Sequence, residues 1–125
     1  MLQPPGLVMS LLLAAIIVVG NALVLVAVRG SATGRFGPYS GLIGVRTAAT
    51  RSSDAAWQAA HRAVWPWALG CNGVALVAAA LGGAAGNTVA PFLVCMGISV
   101  AAMLAGAIAQ LVVGHRAAQR ELGER

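Results

Sequence analysis

All eight basic and all three acidic side chains of this 125-residue chain fall within residues 29–62 and 116–125. Before and between those stretches run three long segments without a single Asp, Glu, Lys or Arg. A water-soluble domain spreads charge over the outer face of each helix or strand, because that face meets water. Charge confined to two patches is the pattern of a chain whose solvent is a bilayer. The composition is 59% hydrophobic and 9% charged, against roughly 25% charged in soluble domains.

The apolar segments cover about 7–28, 63–83 and 89–114. Each has about 20 residues or more, enough at 1.5 Å per residue to cross a hydrocarbon core of ~30 Å. A Gly/Ala/Asn bend over 82–88 separates the last two, and Pro91 suits the opening of the third. Those two read as an antiparallel hairpin. The first segment reads as an anchor rather than a cleaved leader. A leader carries positive charge ahead of a short apolar core, whereas here Arg29 follows the run.

Every basic residue is Arg, and the net charge is +5. In a soluble chain that excess would raise nucleic-acid binding; here the retention of Arg-rich loops in the cytoplasm explains it, and no nucleic-acid partner is expected. The loop 29–62 holds Arg29, Arg35, Arg46, Arg51 and Arg62 against Asp54. The tail 115–125 holds Arg116, Arg120 and Arg125 against Glu121 and Glu124. Three spans bring loop and tail to one face. The expected fold is therefore an all-α integral membrane protein with a single membrane domain over 1–125. It is a three-transmembrane-helix bundle, N-terminus out and C-terminus in, with a cytoplasmic Arg/Gly loop and a short interfacial helix.

The loop divides in two. Gly30, Gly34, Gly37, Gly41 and Gly44, with Pro38, predict an irregular, close-packed stretch. From Ser52 onward the pattern turns helical: Ser52 or Ser53 can cap, Asp54 suits a first turn, and Ala55, Ala56, Ala59 and Ala60 favour helix. The helix is expected to run into the second span, kinked or restarted at Pro66. Trp57, His61 and Val64 share one face, while Asp54, Gln58 and Arg62 form a polar ladder on another. Trp65 and Trp67 suit an interfacial belt.

Inside the spans the polar side chains are Ser10, Asn21, Asn72, Ser99 and Gln110. Ser99, Ala102, Gly106 and Gln110 make one small-polar stripe, and Gly70 with Gly73 a small patch, both suited to helix–helix contact. No ionisable group lies there, so a proton-coupled transporter lacks its usual carrier. Cys71 and Cys95 fall opposite about Met103 and Ala79 in the hairpin. They differ in depth by ~12 Å, beyond disulfide reach. No metal-ligand spacing occurs and no cofactor is expected.

The candidate site is Gly44, Arg46, Thr47, Thr50, Asp54, Trp57, His61 and Arg62. Arg46 and Arg62 can hold an anionic lipid head group or a partner carboxylate, with Thr47 and Thr50 adding hydrogen bonds. The competing reading has Arg46 pair with Asp54 or with helix C-terminal carbonyls and fix the loop beneath the bundle. His61 beside Trp57 suits packing better than a ligand or pH-sensing role. Although a Ser/His/Asp set can be written down, no nucleophile-elbow, phosphate-loop or zinc motif accompanies it, and the chain is not expected to be an enzyme.

Ile43-Gly44-Val45-Arg46-Thr47, then Thr50, Ser53-Asp54, Trp57 and Ala60-His61-Arg62, resembles the IGxRTxxTxxSxxxWxxAHR signature of the SdpI family of bacterial multi-span membrane proteins. With the hairpin that follows, the resemblance covers roughly two thirds of the chain. It has only three spans, fewer than the family's founding member, and Pro38 is followed by Tyr39, where relatives commonly show Pro-Asn. The resemblance implies a protein of the bacterial plasma membrane. The founding member protects its host from a membrane-active toxic peptide and holds a transcriptional repressor at the membrane. The expected function is therefore to bind a peptide or protein partner at the membrane, in an immunity or signalling role. The alternative is a small accessory subunit of a larger membrane complex, and membrane lipid is a partner on either reading.

Overall fold

A computed structural model describes residues 2–39 and 44–123. Expectations at Gly41, Ile43, Glu124 and Arg125 lie outside them. Three helices follow in order: α1 (Leu7–Ala32), α2 (Asp54–Ala84) and α3 (Ala90–Gly123). Their 26, 31 and 34 residues correspond to ~39, ~46 and ~51 Å, all above the ~30 Å of a hydrocarbon core. Each is long and apolar enough to cross a membrane.

The expected short interfacial helix is not a separate element. Residues 54–62 are the opening turns of α2, which passes Pro66 as one helix. Ser53 caps it, its side chain accepting from the Ala56 N–H at 3.0 Å. The alanines that follow carry high helix propensity. Proline removes the bond to the carbonyl four residues earlier and crowds that carbonyl with its ring, yet the helix runs on through Pro66 to Ala84. α3 likewise continues beyond its apolar part to Gly123, so the tail is helical as far as it is described.

α2 is the middle helix. It packs along both neighbours, whereas α1 and α3 scarcely touch each other. Its buried stripe consists mainly of small residues: Ala56, Ala60, Ala68, Ala75 and Ala79 have no exposed surface. The large apolar side chains face outward instead, and Ile16, Leu23, Val77, Leu81, Leu104 and Ile108 are each more than half exposed. Lipid tails solvate such groups as well as a protein interior would, so helices associate through close backbone approach rather than by hiding hydrocarbon. A Cβ at Gly106 would lie 2.7 Å from that of Cys71, and one at Gly83 would lie 2.6 Å from that of Ala14. Side chains larger than hydrogen would push these helices apart.

Cys71 thus faces Gly106, and Cys95 faces Gly82, each one helical turn from the partner the sequence suggested. The two thiols are free, and this register separates them by ~16 Å of helix rise.

Polar contacts fix the register between helices. Ser10 Oγ donates to the Gly83 carbonyl at 2.7 Å, and the Gly6 N–H donates to the Gly86 carbonyl at 2.9 Å. The start of α1 is thereby tied to the turn between α2 and α3. At the opposite end Ala56 and Ala60 pack against Ala118. The Arg-rich loop and the tail therefore share one end of the bundle, as the charge pattern requires.

Candidate binding site at the charged end of the bundle

The loop enters the bundle through Val45. Its side chain joins a buried cluster with Val28 of α1 and Val64 and Ala68 of α2. Gly114 makes room for it, since a Cβ there would lie 3.0 Å from both Val45 Cγ1 and Val64 Cγ2. The Val45 N–H donates to His61 Nε2 at 3.1 Å. That bond requires a lone pair on Nε2, so Nδ1 carries the proton and donates to the Trp57 carbonyl at 2.8 Å. His61 is fully buried with both ring nitrogens engaged, its ring centroid 4.3 Å from that of Trp57. Gly44 has to be glycine in this arrangement: a Cβ would fall 2.7 Å from His61 Nε2.

A tight turn follows. Thr50 Oγ1 accepts from the Thr47 N–H at 2.8 Å and lies 2.8 Å from the Val45 carbonyl, to which it donates. The Thr50 N–H in turn donates to Thr47 Oγ1 at 3.2 Å. Thr50 is wholly buried. These hydroxyls shape the loop. Thr47 Oγ1 is also hydrogen-bonded to His115 Nδ1 at 2.9 Å, which carries the loop across to α3.

Two carbonyls in 36–38 complete the weave. Trp57 Nε1 donates to the Phe36 carbonyl at 2.9 Å, and Arg46 Nη1 donates to that of Pro38 at 2.9 Å. The Arg46 guanidinium also stacks 5.1 Å above the Trp57 ring, a cation–π contact. Arg46 thus bonds a loop carbonyl, a partner different from the Asp54 carboxylate and the helix C-terminal carbonyls that the competing reading named. It remains half-buried at the mouth of the cleft described next.

Because α1 and α3 scarcely meet, a cleft of about 610 Å³ opens between them. Ile16, Val24 and Leu111 form apolar walls; Gly44, Val45 and Arg46 form its charged end. Its floor is a chain of amides. Gln110 Nε2 donates to Asn72 Oδ1 at 2.8 Å, and Asn72 Nδ2 donates to Asn21 Oδ1 at 2.7 Å. Asn21 Nδ2 donates to the Ile17 carbonyl at 2.8 Å. The polar residues predicted for helix contact do link all three helices, and they also line a cavity in the size range of ligand sites, ~300–1,000 Å³.

The structure therefore gathers Gly44, Arg46, Thr47, Thr50, Trp57 and His61. Asp54 and Arg62 are exposed on the polar ladder of α2, with Asp54 Oδ1 3.8 Å from where a Cβ at Gly37 would stand, at the edge of the cluster. Arg62 is ~140° around the helix from Trp57, where Arg46 stacks, so the two arginines do not form the expected clamp. Sequence reasoning missed His115, Gly114 and the role of Asn21, Asn72 and Gln110 as a cleft floor. His115 had a usable signal, as the single histidine closing the third apolar run, opposite the start of α2 in an antiparallel pair.

The profile of the SdpI/YfhL protein family matches residues 38–114. The chain belongs to that family. The matched part runs from Pro38, whose carbonyl receives Arg46, to Gly114, against which Val45 packs. It contains the loop site and two of the three relay amides, while α1 with Asn21 lies before it. No curated protein matches the SdpI-family chain, and no solved structure does.

Proposed function

We propose that this SdpI-family chain is a non-catalytic protein of the bacterial plasma membrane, N-terminus outside and C-terminus in the cytoplasm. It acts by binding a peptide or protein partner within the membrane, in an immunity or signalling role. The observation that carries this reading is the cleft between α1 and α3. Apolar walls suit a hydrophobic segment, the amide floor offers hydrogen bonds that are scarce in lipid, and Arg46 supplies a cation for a carboxylate. In support, both ring nitrogens of His61 are already bonded, which suits a packing residue better than a catalytic base.

The test is survival of a deletion strain challenged with membrane-active extracellular peptides. The reading expects new sensitivity, restored by the wild-type gene and not by Arg46→Ala expressed at equal level. Unchanged survival, together with no chain or peptide co-purifying from native membranes, would sink it.

A second reading, an accessory subunit of a larger complex, draws on the outer surface. A Cβ added at Gly70, Gly73 or Gly97 would meet nothing within 4 Å. Such bare faces suit contact with helices of another chain. A stoichiometric large partner in mild-detergent extracts would favour it.

A further inference from the structure

A second concavity lies on the other side of the charged end and shares Phe36 with the loop site. It has a volume of about 340 Å³, and its lining includes Arg29, Arg35, Thr33, Trp65, Leu25 and Val26. The local backbone builds it. Gly34, at φ +83, lets the chain reverse after α1, a conformation that a side chain would resist. The N–H groups of Arg35 and Phe36 then both donate to the Gly30 carbonyl, at 2.8 and 3.2 Å. The Phe36 ring lies against Gly30 so closely that any Cβ there would overlap it. This fold-back sets Arg35 beside Arg29 in the wall of one pocket. Across it the Arg29 guanidinium sits 5.4 Å over the Trp65 ring.

Two guanidinium groups thus share a pocket whose lining, among the described residues, holds no carboxylate. Like charges held together raise the local potential and favour an anion between them. The remaining lining identifies the carrier of that anion. Leu25 and Val26 belong to the membrane-spanning part of α1, and Val26 is 59% exposed on its outer face. Trp65 is an indole at the depth where tryptophan marks the membrane–water boundary. Cations at head-group level with hydrocarbon-facing side chains directly beneath them match an amphiphile, not a soluble ion.

We infer that this pocket binds the phosphoryl group of an anionic glycerophospholipid between Arg29 and Arg35, with an acyl chain descending over Leu25 and Val26. The site is separate from the α1–α3 cleft and does not depend on what that cleft holds.

The experiment uses the full chain in micelles containing equal phosphatidylglycerol and phosphatidylcholine, with retained lipid counted by native mass spectrometry. Wild type should retain phosphatidylglycerol preferentially, by on the order of tenfold. Arg29→Gln with Arg35→Gln should bring the preference close to parity, while Arg116→Gln with Arg120→Gln should keep it. Equal loss in both double variants would overturn the site in favour of a diffuse positive field. Lowered thermal stability with the preference intact would show the two arginines serving only the end of α1, and would also overturn it. Inorganic phosphate that displaces all retained lipid at millimolar level would assign the pocket to a free anion instead. If the Arg29/Arg35 variant does not fold, a Trp67→Phe chain decides. Trp57 is 1% exposed, so Trp65 is then the accessible indole. Brominated phosphatidylglycerol should quench it more than brominated phosphatidylcholine does, and equal quenching would refute the site.

Discussion

Val45 and His61, sixteen positions apart, are joined by a backbone N–H to imidazole bond of 3.1 Å that fixes the ring as its neutral Nδ1-protonated form. This contact locks the loop onto α2. His61→Ala removes two hydrogen bonds, leaves a buried N–H unsatisfied and opens a void, at a cost of about 3 kcal/mol. His61→Gln, which keeps an acceptor, should lose less. Thermal unfolding in mild detergent, followed through tryptophan near-UV signals, reads both. A His61→Ala protein melting with wild type would show that the bond contributes nothing.

Glycine substitutions should sort by what their Cβ meets. Gly44→Ala and Gly106→Ala drive a methyl to 2.7 Å from His61 Nε2 and Cys71 Cβ respectively, and each should cost about 1–3 kcal/mol. Gly70→Ala meets nothing and gains up to ~1 kcal/mol of helix propensity. Melting temperatures of the three purified variants give the order directly.

The amide relay should be non-additive. Gln110→Leu and Asn21→Leu each remove one end, and each is expected to cost about 1 kcal/mol, as membrane hydrogen bonds do. Both act through Asn72, so the double variant should depart from the sum of the singles by about 0.5 kcal/mol or more. Steric-trap or detergent-denaturation free energies supply the cycle, and strict additivity would argue against a connected network.

Ser31 behaves oppositely. It is fully buried, and its Oγ has no hydrogen-bond partner among the described residues. Burying an unsatisfied hydroxyl is unfavourable. Ser31→Ala should therefore match or exceed wild-type stability in the same melts, and a clear loss would reveal a partner for the hydroxyl.

The three spans were legible because charge and hydrocarbon obey a bilayer more strictly than they obey any one fold. The Trp57–His61–Val64 face was equally legible, since helical spacing alone put those residues together and the structure buries all three. What the sequence hid depends on which helix lies in the middle. The span pattern does not say that α2 separates α1 from α3, and without that fact the amides read only as packing and the cleft has no walls. The two-arginine clamp failed for a related reason. Arg46 comes from an irregular loop whose direction is set by Val45, and no periodicity predicts where such a residue points.

The central position of α2 also bears on synthesis. α2 is the helix that α1 packs against, so α1 must wait in the bilayer while about fifty further residues are translated, roughly 3–10 s at ordinary elongation rates. During that interval Asn21 is an amide adrift in hydrocarbon. Its Nδ2 bond to the Ile17 carbonyl lies wholly within α1 and so is available from the start. The newborn helix can carry its own temporary partner until Asn72 arrives to claim the oxygen.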